Sequence, residues 1–285
     1  MQGLLCQDNV NIAGLALTNH TFGVATAESI QFASGNTPFD GLMGLAQSVS
    51  WSRCVCIFKA HTSTRAQTLS QEKVLTPVES LAVNKLIQSP ITSFKIPRLA
   101  DQLNDGQVTF GGLDATKFVA NTLVTIPNVN TQGFWEGAMD AITANGADTG
   151  LTGRTAILDT GTTLILAPPS DAQKLMQSLG GACDAQQCTI PCTTQASLAL
   201  SFGNASFGIN PRDLAVLPID PNNPAGSCTA GIQPQQIGAA TEWLVSGSYP
   251  SLIGRRSSTK RSGWRCFSEE RLLVHQCRDE PDFTC

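Results

Sequence analysis

One stretch, residues 156–168, constrains the fold of this chain more than any other; it reads A-I-L-D-T-G-T-T-L-I-L-A-P. Apolar runs flank Asp159 on both sides, which predicts a carboxylate at the tip of a loop between two buried strands. Gly161 allows a tight turn that is closed to residues with a Cβ. The hydroxyl groups of the loop offer hydrogen-bond donors to the acid: Thr160, Thr162 and Thr163. The sequence therefore predicts a carboxylate that its own loop holds in place.

An ordinary Asx turn between strands uses the same residue types, so the tripeptide D-T-G alone does not decide the matter. The whole segment resembles the active-site loop of the pepsin-like aspartic endopeptidases. These enzymes have a bilobal, all-β fold with few short helices, in which each lobe gives one such loop and the two aspartates share a proton and a water. The resemblance implies that Asp159 is the catalytic aspartate of the C-terminal lobe. It also implies that the loop residues support the site and hydrogen-bond substrate: Thr160, Gly161, Thr162 and Thr163.

The overall composition suits a secreted β-rich protein better than a helical cytosolic one. The 285 residues can form one large or two ordinary domains, and only 14% of them are charged. The net charge of -4 gives no reason to expect nucleic acid as a partner. No apolar run approaches the roughly 20 residues needed to cross a bilayer, so no membrane association is expected. The three histidines and ten cysteines show no metal-ligand spacing, and the resemblance implies no cofactor.

Two triplets match the acceptor pattern for N-glycosylation, Asn19-His20-Thr21 and Asn204-Ala205-Ser206. They fit a secretory route, although such triplets often occur by chance. The first residues lack the basic start and apolar core of a signal peptide, so either the protein is not exported or its true beginning is missing. The resemblance implies an extracellular or vacuolar location.

Residues 1–125 are expected to form a partial N-terminal lobe, and residues 126–245 the C-terminal lobe with the active-site loop. The segment Phe39–Ala46 reads F-D-G-L-M-G-L-A and resembles the family strand that threads beneath the catalytic turn of its own lobe. The first D-T-G loop and the flap tyrosine of the family would lie upstream of Met1; the single tyrosine here is Tyr249. The threading strand is therefore expected without the turn that it supports.

Residues 49–67 change the composition abruptly, and their removal joins Ser48 to Thr68 in the way the family normally continues. Their ends can be encoded with intron borders, which indicates a non-native insertion from an unspliced intron. A redox or metal loop at Cys54 and Cys56 is the functional alternative, but that spacing alone is a weak signal.

Residues 246–285 are predicted to be a non-native, poorly ordered tail. The family continues Trp243-Leu244-Val245 with a V-G-D-x-F-L run, which this chain lacks. Shifting the back-translated codons of residues 263–281 by one base restores a sequence that resembles the family ending, so a second retained intron would explain the tail. The basic residues of the tail could instead form a nucleic-acid or membrane patch.

Two helices and one disulfide can be placed. Thr76-Pro77-Val78-Glu79 is a capping box that opens a helix carrying Leu81, Ala82 and Leu86. Pro168-Pro169-Ser170 starts a second helix, which Gly180-Gly181 ends. The resemblance implies a disulfide between Cys192 and Cys228. Cys183 and Cys188 could close a small loop, but the sequence does not fix their pairing.

The function predicted by the resemblance is proteolysis of polypeptide substrates by an aspartate-activated water, in a monomer. Only Asp159 matches a catalytic aspartate, so the chain as written is expected to be impaired. A homodimer would supply a second Asp159, but the partial N-terminal lobe would obstruct it. The alternative is a non-catalytic secreted β protein that binds peptides, or a non-functional fragment.

Overall fold

The computed structural model describes residues 2–28, 39–48, 74–97, 103, 105–119, 122–246, 263–268 and 271–276. The predicted insertion at residues 49–67 lies outside these residues. The chain divides into two compact units. The first unit comprises Met1–Ile91, Phe110–Gly112 and Asn130–Phe134, and the second comprises Thr92–Thr109, Leu113–Val129 and Trp135–Cys285.

Strands dominate the described residues. They are β1 (Gln2–Ile12), β2 (Leu15–Ala27), β3 (Thr92–Lys95), β4 (Gln107–Phe110), β5 (Val124–Pro127), β6 (Glu136–Ala138), β7 (Ala141–Ala144), β8 (Ala147–Asp148), β9 (Thr155–Asp159), β10 (Ile165–Ala167), β11 (Ala182–Cys183), β12 (Cys188–Pro191), β13 (Leu198–Phe202), β14 (Ala205–Ile209), β15 (Ala215–Pro218), β16 (Ser227–Ala230), β17 (Ile232–Pro234), β18 (Glu242–Ser246), β19 (Gly263–Ser268) and β20 (Arg271–Gln276). The helices are α1 (Pro77–Val83), α2 (Pro169–Ser178) and α3 (Pro211–Leu214), with a 3₁₀ turn at Ala115–Lys117. The predicted all-β fold class is confirmed.

The first unit is built on an antiparallel hairpin of β1 and β2. The chain reverses at Ala13 and Gly14, whose φ angles of 50° and 85° lie in the left-handed region that tight hairpin turns require. Ile12 and Leu17, on either side of this turn, are buried against Leu81 of helix α1. This small cluster forms an apolar core among the described residues of the unit.

The predicted capping box at the start of α1 is confirmed. The backbone N–H of Thr76 donates to Glu79 Oε2 at 2.8 Å, and the N–H of Glu79 donates back to Thr76 Oγ1 at 3.4 Å. Glu79 Oε1 also accepts from the N–H of Ser48 at 2.8 Å. The helix ends at Val83, so the prediction that it carries Leu86 is wrong, because Lys85 takes a left-handed φ of 57° that ends the helix.

The predicted threading strand at Phe39–Ala46 is also wrong. The described backbone of this segment belongs to no strand, and Leu42 and Met43 are 63% and 50% exposed. A threading strand needs neighbours on both sides to satisfy its backbone and cover its apolar side chains. Within the described residues, no strand pairs with this segment.

The second unit is organised around a five-stranded sheet in the order β17-β10-β18-β9-β6. Strand β9 lies between β18, which is parallel to it, and β6, which is antiparallel. Parallel strands covered on both faces are typically continuous apolar runs. Ala156, Ile157 and Leu158 form such a run and are buried.

Three further sheets complete the second unit, in the orders β11-β12-β16-β15, β14-β13-β7-β8 and β4-β3-β19-β20-β5. Helix α2 begins at Pro169 and is followed by Gly180 with a φ of 79°, which agrees with the predicted start and end. Its apolar face is buried, as Leu175 at 0% and Met176 at 1% exposure show.

Strands β19 and β20 belong to the segment predicted to be a non-native tail. Their backbones pair with each other, with β3 and with β5. Regular strand backbone is thus present in part of residues 246–285, and the predicted non-native origin of the segment stays a prediction. The predicted boundary at residue 125 likewise stays a prediction. Each compact unit consists of three segments of the chain, so no single residue divides the sequence into the two units.

Candidate active site

Strand β9 delivers Asp159 to the end of the central sheet. Its register with the parallel strand β18 pairs Leu158 with Val245 and Asp159 with Ser246. The three residues before Asp159 are buried, whereas Asp159 itself is half-buried. The carboxylate therefore lies where a rigid, covered strand meets its loop, which is a position that holds a functional group precisely.

The loop after β9 donates two hydrogen bonds to this carboxylate. The backbone N–H of Gly161 donates to Asp159 Oδ1 at 2.9 Å, and Thr162 Oγ1 donates to Oδ2. Each oxygen thus has its own donor, which fixes the rotation of the carboxylate plane. A Cβ added to Gly161 would lie 3.3 Å from Asp159 Oδ1, so the glycine also leaves space beside that oxygen.

The other two predicted loop residues differ in placement. Thr160 is half-buried and Thr163 is exposed. Within the described residues, Thr163 makes no hydrogen bond to Asp159. The structure thus brings Gly161 and Thr162, but not Thr163, into contact with the carboxylate.

An ion pair between Asp171 and Arg154 holds the start of β9, and sequence reasoning missed it. Asp171 in the first turn of α2 is 1% exposed and accepts two hydrogen bonds from Arg154, from Nε at 2.8 Å and from Nη2 at 2.7 Å. The indole Nε1 of Trp243, which is fully buried in β18, donates to Asp171 Oδ2 at 3.0 Å. Asp171 thereby links the residue preceding β9, the helix after the loop, and β18.

Electrostatics favours the ionised form of this pair. Burial alone would raise the pKa of Asp171, but the hydrogen bonds from Arg154 and Trp243, together with the charges of Arg154 and Lys174, hold that pKa below its usual range. The hydrogen bonds and the charge of Asp171 raise the pKa of Arg154. Asp171 was a weak signal in the sequence, because an acidic residue in the first turn of a helix usually faces solvent.

A second Asp-Thr-Gly tripeptide, Asp148-Thr149-Gly150, was also missed. Asp148 ends the two-residue strand β8 and is exposed. Its Oδ1 accepts a hydrogen bond from the N–H of Gly150 at 2.9 Å. No apolar run follows it, since the next residues are Leu151-Thr152-Gly153. It is the ordinary Asx turn that the tripeptide also favours.

Another carboxylate lies near the start of β9. Glu242 in β18 pairs with Thr155, and Glu136 in β6 pairs with Ile157. Partial burial and the nearby charge of Glu136 raise the pKa of Glu242, although a hydrogen bond from Ala239 opposes the shift.

Two disulfides join the cysteines that sequence analysis singled out in this unit. Cys192 is bonded to Cys228, as the resemblance implies, and Cys183 is bonded to Cys188. Among the described ranges, no cluster of three or more His, Cys, Asp or Glu side chains could hold a metal ion. The described helices include none of the length and apolarity that a membrane span requires.

A family model described as eukaryotic aspartyl protease matches residues 1–245. The chain is 31% identical over 248 residues to a probable aspartic-type endopeptidase CTSD of Arthroderma benhamiae, covering 86% of this chain and 43% of that protein. It is 30% identical to the aspartic-type endopeptidase ctsD of Aspergillus fumigatus, covering 86% of this chain and 46% of that protein. It is 33% identical to rhizopuspepsin of Rhizopus chinensis, covering 80% of this chain and 52% of that protein.

The chain thus spans about half the length of the curated relatives it matches. The matched region contains both the Asp159 loop and the sheet that carries it. The chain belongs to the eukaryotic aspartyl protease family.

Proposed function

We propose that this chain carries one half of the catalytic centre of an aspartic endopeptidase, with Asp159 as the catalytic aspartate. The observation that carries the proposal is the geometry of the Asp159 carboxylate. It lies at the end of strand β9, which has a neighbouring strand on each side, and each of its oxygens accepts a hydrogen bond from the following loop. Family membership supports the same reaction class.

The chemistry follows from two carboxyl groups that share one proton. Two like charges about 3 Å apart cannot both ionise cheaply, so the pair titrates together. The ionised member takes a proton from the shared water as a general base, and the protonated member donates to the scissile carbonyl. In this chain Asp159 supplies one carboxyl group, and Gly161 and Thr162 keep it oriented for that exchange.

The substrate is an extended polypeptide, and activity requires a second aspartate in addition to Asp159. We expect the 285 residues by themselves to show little or no proteolysis, because one carboxylate without its partner cannot share a proton in this way. A protein that binds peptides without cutting them is the alternative outcome.

The route through the cell is part of the proposal. One relative is named vacuolar protease A, from Arthroderma otae, and is 32% identical over 222 residues. The disulfides Cys192–Cys228 and Cys183–Cys188 fit an oxidising compartment. We therefore place this protein on the secretory route, to the vacuole or the cell exterior.

The experiment measures cleavage of an acid-denatured protein substrate by the protein that the full-length transcript encodes, over acid to neutral pH. We expect proteolysis with an acid optimum, and a loss of more than about a thousandfold in kcat/KM for Asp159→Asn. Asp148→Asn is the matched control, because it makes the same change in the same tripeptide, and its activity should stay within about twofold of wild type.

Two results would contradict the proposal. Wild-type activity in Asp159→Asn at the pH optimum would remove Asp159 from the reaction. Saturable peptide binding by the wild type without any cleavage would favour the non-catalytic alternative.

A further inference from the structure

The turn between β13 and β14 has a defined shape. Phe202 pairs with Ala205 across two central residues, Gly203 and Asn204, whose φ angles are 56° and 65°. Positive φ at both central positions is the geometry of a type I′ turn, which matches the twist of the flanking strands and favours Gly and Asn. The hairpin therefore has a strong local reason to form in this register.

The two central residues of this turn face different surroundings. A Cβ added to Gly203, which is itself exposed, would lie 2.5 Å from Val124 Cγ1 and 2.9 Å from Ile126 Cγ2, so the turn approaches side chains of β5 closely at this glycine. Asn204, the next residue, is exposed. Its backbone N–H donates to Asp140 Oδ2 at 2.7 Å, which anchors the turn through the main chain.

The side-chain amide of Asn204 is therefore available for covalent modification. Within the part of the chain that the structure describes, it makes no hydrogen bond. Ser206, two residues later, is exposed as well. Asn-x-Ser is the acceptor pattern for N-glycosylation, which requires a surface loop.

We propose that Asn204 is an N-glycosylation site of this protein. The co-reactant is an oligosaccharide linked through a diphosphate to a lipid. A bond forms between Asn204 Nδ2 and the anomeric carbon of the first sugar, while the bond from that carbon to the diphosphate oxygen breaks. The lipid diphosphate leaves with the bonding electrons, and the amide gives up one proton to a base of the transferring enzyme.

A glycan on Asn204 would extend into solvent without disturbing the fold. The packed side of the turn is occupied by Gly203, and the anchoring hydrogen bond uses the backbone N–H of Asn204 rather than its side chain. The inference rests on the proposed secretory route, but it does not depend on proteolysis.

The other acceptor triplet lies in a paired strand. Asn19 belongs to β2, its N–H donates to Asn9 Oδ1 at 3.2 Å, and Thr21 Oγ1 accepts from Gln7 Nε2 at 3.0 Å. Modification of the two triplets can be measured separately, because trypsin leaves Asn19 within residues 1–53 and Asn204 within residues 175–212.

The experiment expresses the 285-residue chain behind a secretion leader in a eukaryotic host. The recovered protein is treated, without denaturation, with an enzyme that releases N-glycans and converts the carrying Asn to Asp. We expect that conversion at Asn204 in the peptide of residues 175–212, since an exposed turn is accessible in the folded protein. An unmodified peptide overturns the proposal. A glycan that is released only after denaturation overturns its structural basis, the exposed turn.

Variants at Ser206 test the acceptor pattern without changing Asn204, whose left-handed backbone few residues adopt. Ser206→Ala should abolish modification of residues 175–212, and Ser206→Thr should restore it, since only the acceptor hydroxyl changes. Asn19→Gln is the control and should leave that peptide modified. Modification of Asn204 that persists in Ser206→Ala contradicts the assignment. Because the readout is mass, a failure here is distinct from a failure of the proposed protease function.

Discussion

The two Asp-Thr-Gly turns of this chain share a local structure and differ in everything around it. In each, the N–H of the glycine donates to Oδ1 of the aspartate at 2.9 Å, at Asp148 and at Asp159. Asp148 ends the two-residue strand β8 and is exposed, whereas Asp159 ends the five-residue strand β9 and is half-buried. Asp159 also has a second donor, Thr162 Oγ1.

This difference shows that the tripeptide Asp-Thr-Gly specifies a turn, whereas the apolar residues on either side of it determine where in the fold the aspartate lies. An Asx turn satisfies the aspartate in both places. Only the apolar runs on either side of Asp159 place the turn at the end of a strand inside a five-stranded sheet. The ion pair of Asp171 and Arg154 then connects that sheet to helix α2.

The largest expected effect on stability comes from removing the ion pair of Asp171 and Arg154. Asp171→Ala leaves Arg154 and the indole N–H of Trp243 without their partner, and should lower the free energy of unfolding by about 2–3 kcal/mol. The figure is below that of a fully buried pair because the Arg154 side chain is 22% exposed. Urea unfolding measures it. Asp148→Ala is the matched control and should change stability by less than about 0.5 kcal/mol; equal losses in both variants would erase the comparison.

The contribution of Asp171 should depend on pH. Its pKa is lower in the folded state than the ordinary 3.8, so the stabilisation is present above that value and is lost as pH falls through the folded pKa. Urea unfolding of wild type and Asp171→Asn, repeated from pH 7 downward, should give curves that differ at neutral pH and converge below about pH 3.8. A difference that stays constant as pH falls through the folded pKa would mean that the charge of Asp171 contributes nothing.

The glycines of the two turns should respond in opposite ways. Gly150 has a left-handed φ of 66°, so Gly150→Ala should cost about 1 kcal/mol of stability and leave activity unchanged. Gly161 is outside that region, so Gly161→Ala should cost less stability, yet its Cβ would press on Asp159 Oδ1 and lower kcat. Unfolding curves of the two variants, and their cleavage kinetics in the protein that the full-length transcript encodes, test this. A larger stability loss at Gly161 would reverse the expected order.

The smallest effect concerns the start of β9. Burial and the charge of Glu136 raise the pKa of Glu242, so its ionised form is disfavoured in the folded protein. Glu242→Gln should therefore stabilise the protein at neutral pH, by well under about 1 kcal/mol, because the site is partly exposed to solvent. The gain should disappear at acid pH, where Glu242 is protonated in both states. Thermal unfolding at the two pH values measures it, and a destabilised variant at neutral pH would refute the assignment.

Local signals in the sequence predicted local structure well. The capping box of Thr76 and Glu79 formed as expected, and the apolar runs around Asp159 became β9 and β10. These features depend on residues a few positions apart, where propensity and hydrogen bonding act directly. Thr162 was predicted as a donor to Asp159 for the same reason, whereas Gly161 was predicted to form the turn and also donates its N–H.

Features that depend on distant contacts could not be predicted in this way. Asp171 and Trp243 are 72 residues apart, and neither pattern nor spacing indicates that they meet. The expected threading strand at Phe39–Ala46 failed because a strand exists only when neighbouring strands pair with it, which a local motif cannot guarantee. The sequence does not distinguish the turn at Asp148, because no apolar run follows it.

The bond between Cys192 and Cys228 turns part of the second unit into a covalent ring. The two cysteines are 36 positions apart and enclose β13, β14, α3 and β15. Closing a loop of this size removes entropy from the unfolded chain, worth about 3–4 kcal/mol. A single backbone cut anywhere inside the ring, including at the exposed turn of Asn204, therefore yields one molecule that separates into two pieces only when the disulfide is reduced.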